Sequence, residues 1–127
     1  MKIFVISDIH GSIYYLDKAL ECFIKEKADY ILILGDILYH GPRNPIPKNY
    51  DPKLVANKLN LYKNKIIALR GNCDSEVDQM LLNFPILSDF TNLFLGDKRI
   101  FATHGHLFKQ DKLSIDNDDI LIFGHTH

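Results

Sequence analysis

Five apolar runs in this 127-residue chain each stop at a polar cluster built around glycine, and that recurrence restricts the fold more than any single residue does. The clusters read Asp8-Ile9-His10-Gly11, Gly35-Asp36, Gly71-Asn72, His104-Gly105 and Gly124-His125-Thr126-His127. Ile3 to Ile6, Tyr30 to Leu34 and Ile66 to Leu69 are short, largely β-branched runs, the pattern of buried strands. Between the first two, Ile13, Leu16, Ala19, Leu20, Phe23 and Ile24 recur at three- and four-residue steps. That spacing predicts one apolar face of a helix capped by Ser12 and ending in Lys25 to Lys27. Strand, helix, strand is a βαβ unit, economically joined as a parallel pair. The first four clusters follow one another at roughly the length of one crossover unit. In a parallel sheet they emerge together at the carboxyl edge, where α/β sheets bind ligands.

Ile37 to Pro52 carries all but one of the prolines, together with His40, Gly41 and Arg43, and is expected to be a long ordered loop. A second helix is expected from about Lys53 to Tyr62, with Leu54, Val55, Lys58, Leu59 and Tyr62 on one face. Ser75 to Leu82 reads as a short helix capped by Asp74 or Ser75. Asn92 to Leu95, the turn Gly96-Asp97-Lys98 and Arg99 to Thr103 form a β-hairpin. A polar connection, Leu107 to Asp118, leads to a last strand at Asp119 to Phe123.

Composition bears on partners. With 15 Lys+Arg against 16 Asp+Glu the net charge is −1, so the chain has no overall attraction to nucleic acid or anionic lipid, and phosphate chemistry must draw its positive charge locally. No apolar run reaches the roughly 18 residues of a membrane span. Cys22 and Cys73 make neither a disulfide framework nor a zinc-finger spacing, so a reducing cytoplasm is expected; Cys22, beside Phe23, is expected to pack in the core. The length suits a single domain over residues 1–127.

What the clusters would bring together is two carboxylates, one amide and several imidazoles. This N/O donor set suits Mn²⁺, Fe²⁺, Ni²⁺, Co²⁺ or Zn²⁺ rather than Ca²⁺. Seven donors exceed one four-coordinate structural zinc, whereas two ions sharing a carboxylate use them all. Polar residues that merely cap helices and close turns would seldom fill all five strand ends.

In this order, and with His40-Gly41-Pro42-Arg43 and Arg70-Gly71-Asn72-Cys73-Asp74-Ser75-Glu76 alongside, the motifs resemble those of the calcineurin-like metallophosphoesterase superfamily. Within it the chain is similar to the small bacterial YfcE-type phosphodiesterase family. The resemblance implies an α/β fold, the four-layer α/β/β/α sandwich. It also implies a phosphodiesterase that uses two divalent metal ions, with Mn²⁺ the first expectation, and a hydroxide bridging them that attacks phosphorus. Carried over residue by residue, it implies that Asp8, His10, Asp36 and His127 hold one ion. Asp36, Asn72, His104 and His125 would hold the other, with Asp36 as the bridge.

The resemblance departs at Cys73, where many relatives have a histidine proposed to orient the substrate or protonate the leaving group. A thiol with an ordinary pKa near 8.5 is a poor acid for an alkoxide. The proton then falls to His106, His40 or water, unless the leaving group needs none. Arg43 is a candidate phosphate clamp. For each of these the plainer alternative stays open: a structural hydrogen bond for His106, a solvated loop for His40 and Arg43, packing for Cys73. A non-catalytic scaffold of the same fold and a phosphomonoesterase also remain open. The expected partner is a small phosphodiester, with neither a membrane nor a specific nucleic acid. His127 ends the chain where relatives continue, so the last strands are expected to be missing, His127 to be poorly fixed, and an open strand edge to be available for homo-oligomer formation. Activity is expected to fall below about pH 6 as the histidines protonate.

Overall fold

The computed structural model describes residues 1–127. β1 (Ile3–Ile6), β2 (Tyr30–Ile33) and β3 (Ile66–Ala68) form a parallel sheet in that order. Ile6 lies level with Ile33, and Ile33 with Ala68, so the three following loops leave the sheet at one height. α1 (Ile13–Lys25) begins where Ser12 accepts a hydrogen bond from the Tyr15 amide. α2 (Pro52–Asn60) begins one residue before the expected Lys53, because proline at a first helical position lacks only an N–H that would have no partner there; Asp51 caps it. α3 (Glu76–Leu81) settles the choice of cap: Ser75 and Asp78 bond each other's backbone in a capping box.

The two longer helices and the chain after α3 bury Leu16, Leu20, Phe23, Val55, Leu59, Phe84 and Ile86 against Ile31 and Ile33 of the sheet. The apolar face of α1 is narrower than its sequence pattern. At 100° per residue, Ile24 and Cys22 fall to either side of Phe23; Ile24 is 61% exposed and Cys22, expected in the core, is exposed. Leu54 is likewise turned outward, with Ala56 buried in its stead.

A single sheet edge does not carry all five clusters. β4 (Phe90–Leu95), β5 (Lys98–Thr103) and β6 (Ile120–Phe123) make a second sheet, antiparallel between β4 and β5 and parallel between β5 and β6. The hairpin starts at Phe90 rather than Asn92, since Phe90 stacks on Phe101 across it. Leu32, Leu34, Leu69 and Ala102 form a second core between the sheets. On the outer face Phe108 packs edge-on to Phe90 and Phe101 and leads into a 3₁₀ turn at Gln110–Lys112. The sequence of layers is therefore helices, parallel sheet and mixed sheet, the α/β arrangement expected, with an irregular segment covering the fourth side.

The loops after β2 and β3 touch backbone to backbone. A Cβ at Gly71 would stand 2.2 Å from Asp36 Oδ1 and 2.5 Å from the Asp36 amide nitrogen, neither of which is a flexible tip. Gly71→Ala is therefore expected to destabilise the fold by about 1–3 kcal/mol, as overpacking does, and chemical denaturation measures it.

Candidate metal centre

Each strand-end loop delivers its polar residues to one place where the two sheets meet. The first loop runs alongside the second: the amides of Asp8, His10 and Gly11 donate to the carbonyls of Gly35, Asp36 and Ile37. The last two loops are joined by the Gly124 amide, which donates to the His104 carbonyl. Gly124 also lets the loops close, because a Cβ there would meet Ser7 Oγ at 2.1 Å and Asp8 Oδ2 at 2.7 Å. Seven non-glycine residues have positive φ, and five of them are Asp8, His10, Asp36, His125 and His127. Left-handed backbone is uncommon for side-chain-bearing residues, and its concentration here marks a site under constraint.

The side chains converge in two groups. Asp8 Oδ1 is 3.2 Å from His127 Nε2 and 3.5 Å from His10 Nε2, and the two imidazole nitrogens are 3.2 Å apart. Asp36 Oδ2 is 3.2 Å from His104 Nε2, which lies 3.0 Å from Asn72 Oδ1 and 3.2 Å from His125 Nδ1. Asp36 also faces the first group, with Oδ2 3.6 Å from His10 Nε2. All seven residues named from the sequence meet here.

These distances fit a divalent cation. Donor atoms sharing one ion at about 2.0–2.1 Å stand roughly 2.8–3.0 Å apart at right angles and roughly 3.3–3.4 Å apart at tetrahedral angles. Asp8 Oδ1 is buried with no hydrogen-bond partner, so a donor atom is left over on the face where an ion would bind. Asp8–His10–His127, Asp36–His104–His125 and, between them, His10–Asp36–Cys73 each present ligand atoms within 4.8 Å of one another.

The next layer fixes the ligands, and sequence reasoning missed most of it. His10 Nδ1 bonds the Tyr39 carbonyl and His104 Nδ1 the Leu34 carbonyl, both at 2.8 Å, which leaves each Nε2 free to face the centre. Asp74 is 4% exposed and accepts from the amides of Asp36 (2.8 Å), Ile37 (2.9 Å) and Gly71 (2.7 Å). Its place in the Gly71 to Asp74 run was visible in the sequence, but nothing there distinguishes an acid that binds backbone from one that caps a helix.

Among the other residues singled out, Cys73 lies on the centre's rim and donates its amide to Asp36 Oδ1 at 2.8 Å. Burial, with Asp36 and Asp74 nearby, pushes its thiol up to about 11. His40 packs between the rings of Tyr39 and Tyr50, with Nδ1 buried and unpartnered. His106 packs against His104 and His125 but lines neither of the two larger cavities beside the centre. Arg43 lines the larger cavity, of about 970 Å³, with Asp36, Asn72, His125 and His127. His127 is half exposed yet reaches both Asp8 and His10.

The calcineurin-like phosphoesterase family profile matches residues 1–127. The chain belongs to this family. It is 50% identical to the phosphodiesterase YfcE of Escherichia coli over 128 residues, covering all of this chain and 70% of that protein. A phosphodiesterase of Methanocaldococcus jannaschii is 28% identical over 135 residues, covering all of this chain and 74% of the other. The solved structure of YfcE, described as a phosphoesterase, superimposes with a TM-score of 0.95 at 49% identity, over 99% of this chain and 70% of that one. The structure of an archaeal phosphodiesterase matches with a TM-score of 0.59 at 27% identity, over 84% and 60% of the two chains. Calcineurin-like phosphoesterases work with divalent metals, in keeping with the donor set. No helix of this phosphoesterase is long and apolar enough to cross a membrane.

Protons and cations compete for the centre. Burial raises the Asp8 and Asp36 carboxyls, but the His10 imidazole and the Ser7 hydroxyl beside Asp8, and the His104 imidazole and Cys73 amide beside Asp36, prevail and hold both below the usual range. Asp8 raises His10 against the opposing effect of burial; for His104 burial lowers, and Asp36 more than restores it. A depressed carboxylate contributes stability above its unfolded pKa, near 4, and loses it as pH falls. A raised histidine contributes below its unfolded pKa, near 6.5, and loses it as pH rises. The metal-free protein is accordingly expected to melt at a higher temperature at pH 5.5 than at pH 8, and Mn²⁺ to reverse that order, as read by calorimetry in chelated and metal-loaded samples. Asp74→Asn replaces one of two acceptor oxygens with a donor facing backbone amides. It is expected to weaken Mn²⁺ binding by about 10–100-fold while leaving every ligand in place, measured by titration calorimetry.

Proposed function

We propose that this phosphoesterase hydrolyses small phosphodiesters with two divalent ions. Asp8, His10, Asp36 and His127 would hold one ion, and Asp36, Asn72, His104 and His125 the other. The observation that carries the proposal is the Asp36 carboxylate, which faces His104 at 3.2 Å and His10 at 3.6 Å and so lies between two donor groups. The relatives named as phosphodiesterases support the same reading. Mn²⁺ is the first choice because the seven assigned donors are oxygen and imidazole nitrogen.

Bound there, such ions supply Lewis acidity towards phosphoryl oxygens and lower the pKa of water. The chain's own residues do the rest. Asp8 and Asp36 bring two negative charges, so a centre loaded with two divalent ions stays cationic and attracts an anionic ester. The Leu34 and Tyr39 carbonyls hold His104 and His10 in the tautomer that binds through Nε2. Arg43 is the one Lys or Arg side chain lining the larger cavity, and its guanidinium is placed to hold substrate phosphate oxygens. Cys73 lies beside the centre and donates its amide to Asp36 Oδ1, so its role is read as lining the site and fixing that carboxylate. His40 lines the smaller cavity with Asp8, His10 and His127 and packs against the Tyr39 and Tyr50 rings, so its role is read as support for that wall. His106 supports the imidazoles beside it.

Metal-stripped protein is expected to hydrolyse bis-p-nitrophenyl phosphate only after Mn²⁺ is restored, and Asp36→Asn to lower kcat by at least about a hundredfold. Release of p-nitrophenolate measures both. Two bound ions per chain without turnover would instead identify a metal-binding scaffold.

A further inference from the structure

The metal centre opens onto a large cavity whose walls are not uniformly polar. Tyr39, 42% exposed, and Leu81 of α3, 47% exposed, are both among its lining residues. An aromatic residue at the wall of a ligand-sized cavity beside a polar centre offers a flat apolar face that a ligand can cover. The phosphoryl group itself would occupy little of the roughly 970 Å³, which leaves room for an ester arm.

Tyr39 is also held at a fixed place. Its carbonyl is the acceptor for His10 Nδ1 at 2.8 Å, so the backbone that carries the ring is tied to a metal-ligating imidazole. Leu38 before it is buried. The His40 ring stands against the Tyr39 ring with centroids 4.9 Å apart, and Tyr50 meets His40 edge-on at 5.2 Å. A ring supported in this way offers a preorganised platform at little cost in side-chain entropy.

Resting on the phosphodiesterase reading, we propose that Tyr39 sets specificity by stacking on a flat aromatic ester arm, aryl or nucleoside, on the side of the phosphate that does not leave. Tyr39 touches neither the attacked phosphorus nor the leaving group; it selects which diesters dwell at the centre.

Three esters with one leaving group isolate the effect: methyl p-nitrophenyl phosphate, bis-p-nitrophenyl phosphate and thymidine 5′-(p-nitrophenyl phosphate). In each, water attacks phosphorus, the P–O bond to the nitrophenyl group breaks, and p-nitrophenolate departs with its electron pair. With Mn²⁺ loaded, wild type is expected to favour the two aromatic arms over methyl in kcat/KM. Tyr39→Ala is expected to shrink that ratio about tenfold, mostly through KM, and Tyr39→Phe to keep it. A preference shared by both arms assigns the platform to any flat ring, and one confined to the thymidine ester assigns it to a nucleoside. An unchanged ratio in Tyr39→Ala, or an equal loss on all three esters, overturns the proposal. Bound Mn²⁺ is counted in each variant, and loss of ions from Tyr39→Ala would likewise overturn it, in favour of a role in holding His10. Should metal-loaded wild type cleave none of the esters, the diesterase reading fails on its own. Calorimetric Kd values for the same esters then decide Tyr39: a stacking preference that the alanine variant loses upholds it, and equal binding overturns it.

Discussion

The Asp36 carboxylate is a charge the fold has taken almost wholly out of water, at 2% exposure, and the surrounding structure answers to it. An unpaired carboxylate in such a place would cost several kcal/mol, so its partners are not optional. One oxygen takes the Cys73 amide and the other faces the nitrogens of His104 and His10. Its own amide is held by Asp74, which also grips Ile37 and Gly71 and so locks the loop after β2 to the loop after β3. Gly71 completes the arrangement by having no side chain where the carboxylate must sit. The compensating positive charge can be a protonated imidazole or a divalent cation, and pH decides between them.

The same economy governs the imidazoles. β2 ends at Ile33, directly before Leu34-Gly35-Asp36, so one loop supplies the central carboxylate and, two positions earlier, the carbonyl that orients His104 from the other sheet. Three residues after Asp36 the chain supplies the Tyr39 carbonyl for His10. Local backbone geometry at one strand end therefore fixes three of the seven donors, and a shift in the β1–β2 or β2–β3 register would misplace all three together.

Much of this was legible in the sequence, for reasons that differ by element. The strands and α1 announced themselves by period, and Ser12 by capping chemistry, because those signals are local. The seven donors were legible because glycine and a chelating residue recur at strand ends, a pattern that few other pressures produce. The partition into two sheets was not, since a strand run carries no mark of which sheet will accept it; that depends on Ala102 and Leu93 finding Leu32 and Leu69 between the layers. The exposure of Cys22 and Ile24 was hidden too, because apolar spacing gives a face but not its width. Asp74 and the carbonyls of Leu34 and Tyr39 escaped notice because backbone acceptors have no signature in residue type.

Left-handed backbone at Asp8, His10, Asp36, His125 and His127 was equally invisible, and it bears most directly on how the site works. Such conformations cost about 1–3 kcal/mol each and persist only where their surroundings overdetermine them. Here the surroundings are largely main chain: amides of the first loop donate to carbonyls of the second, and Gly124 donates to His104 across the second sheet. These bonds use no ligand side chain, so the geometry of the donors is set by loop pairing and does not have to be assembled when a cation arrives. A centre built this way spends its folding energy on placing the donors, which lowers the reorganisation left for binding and for chemistry.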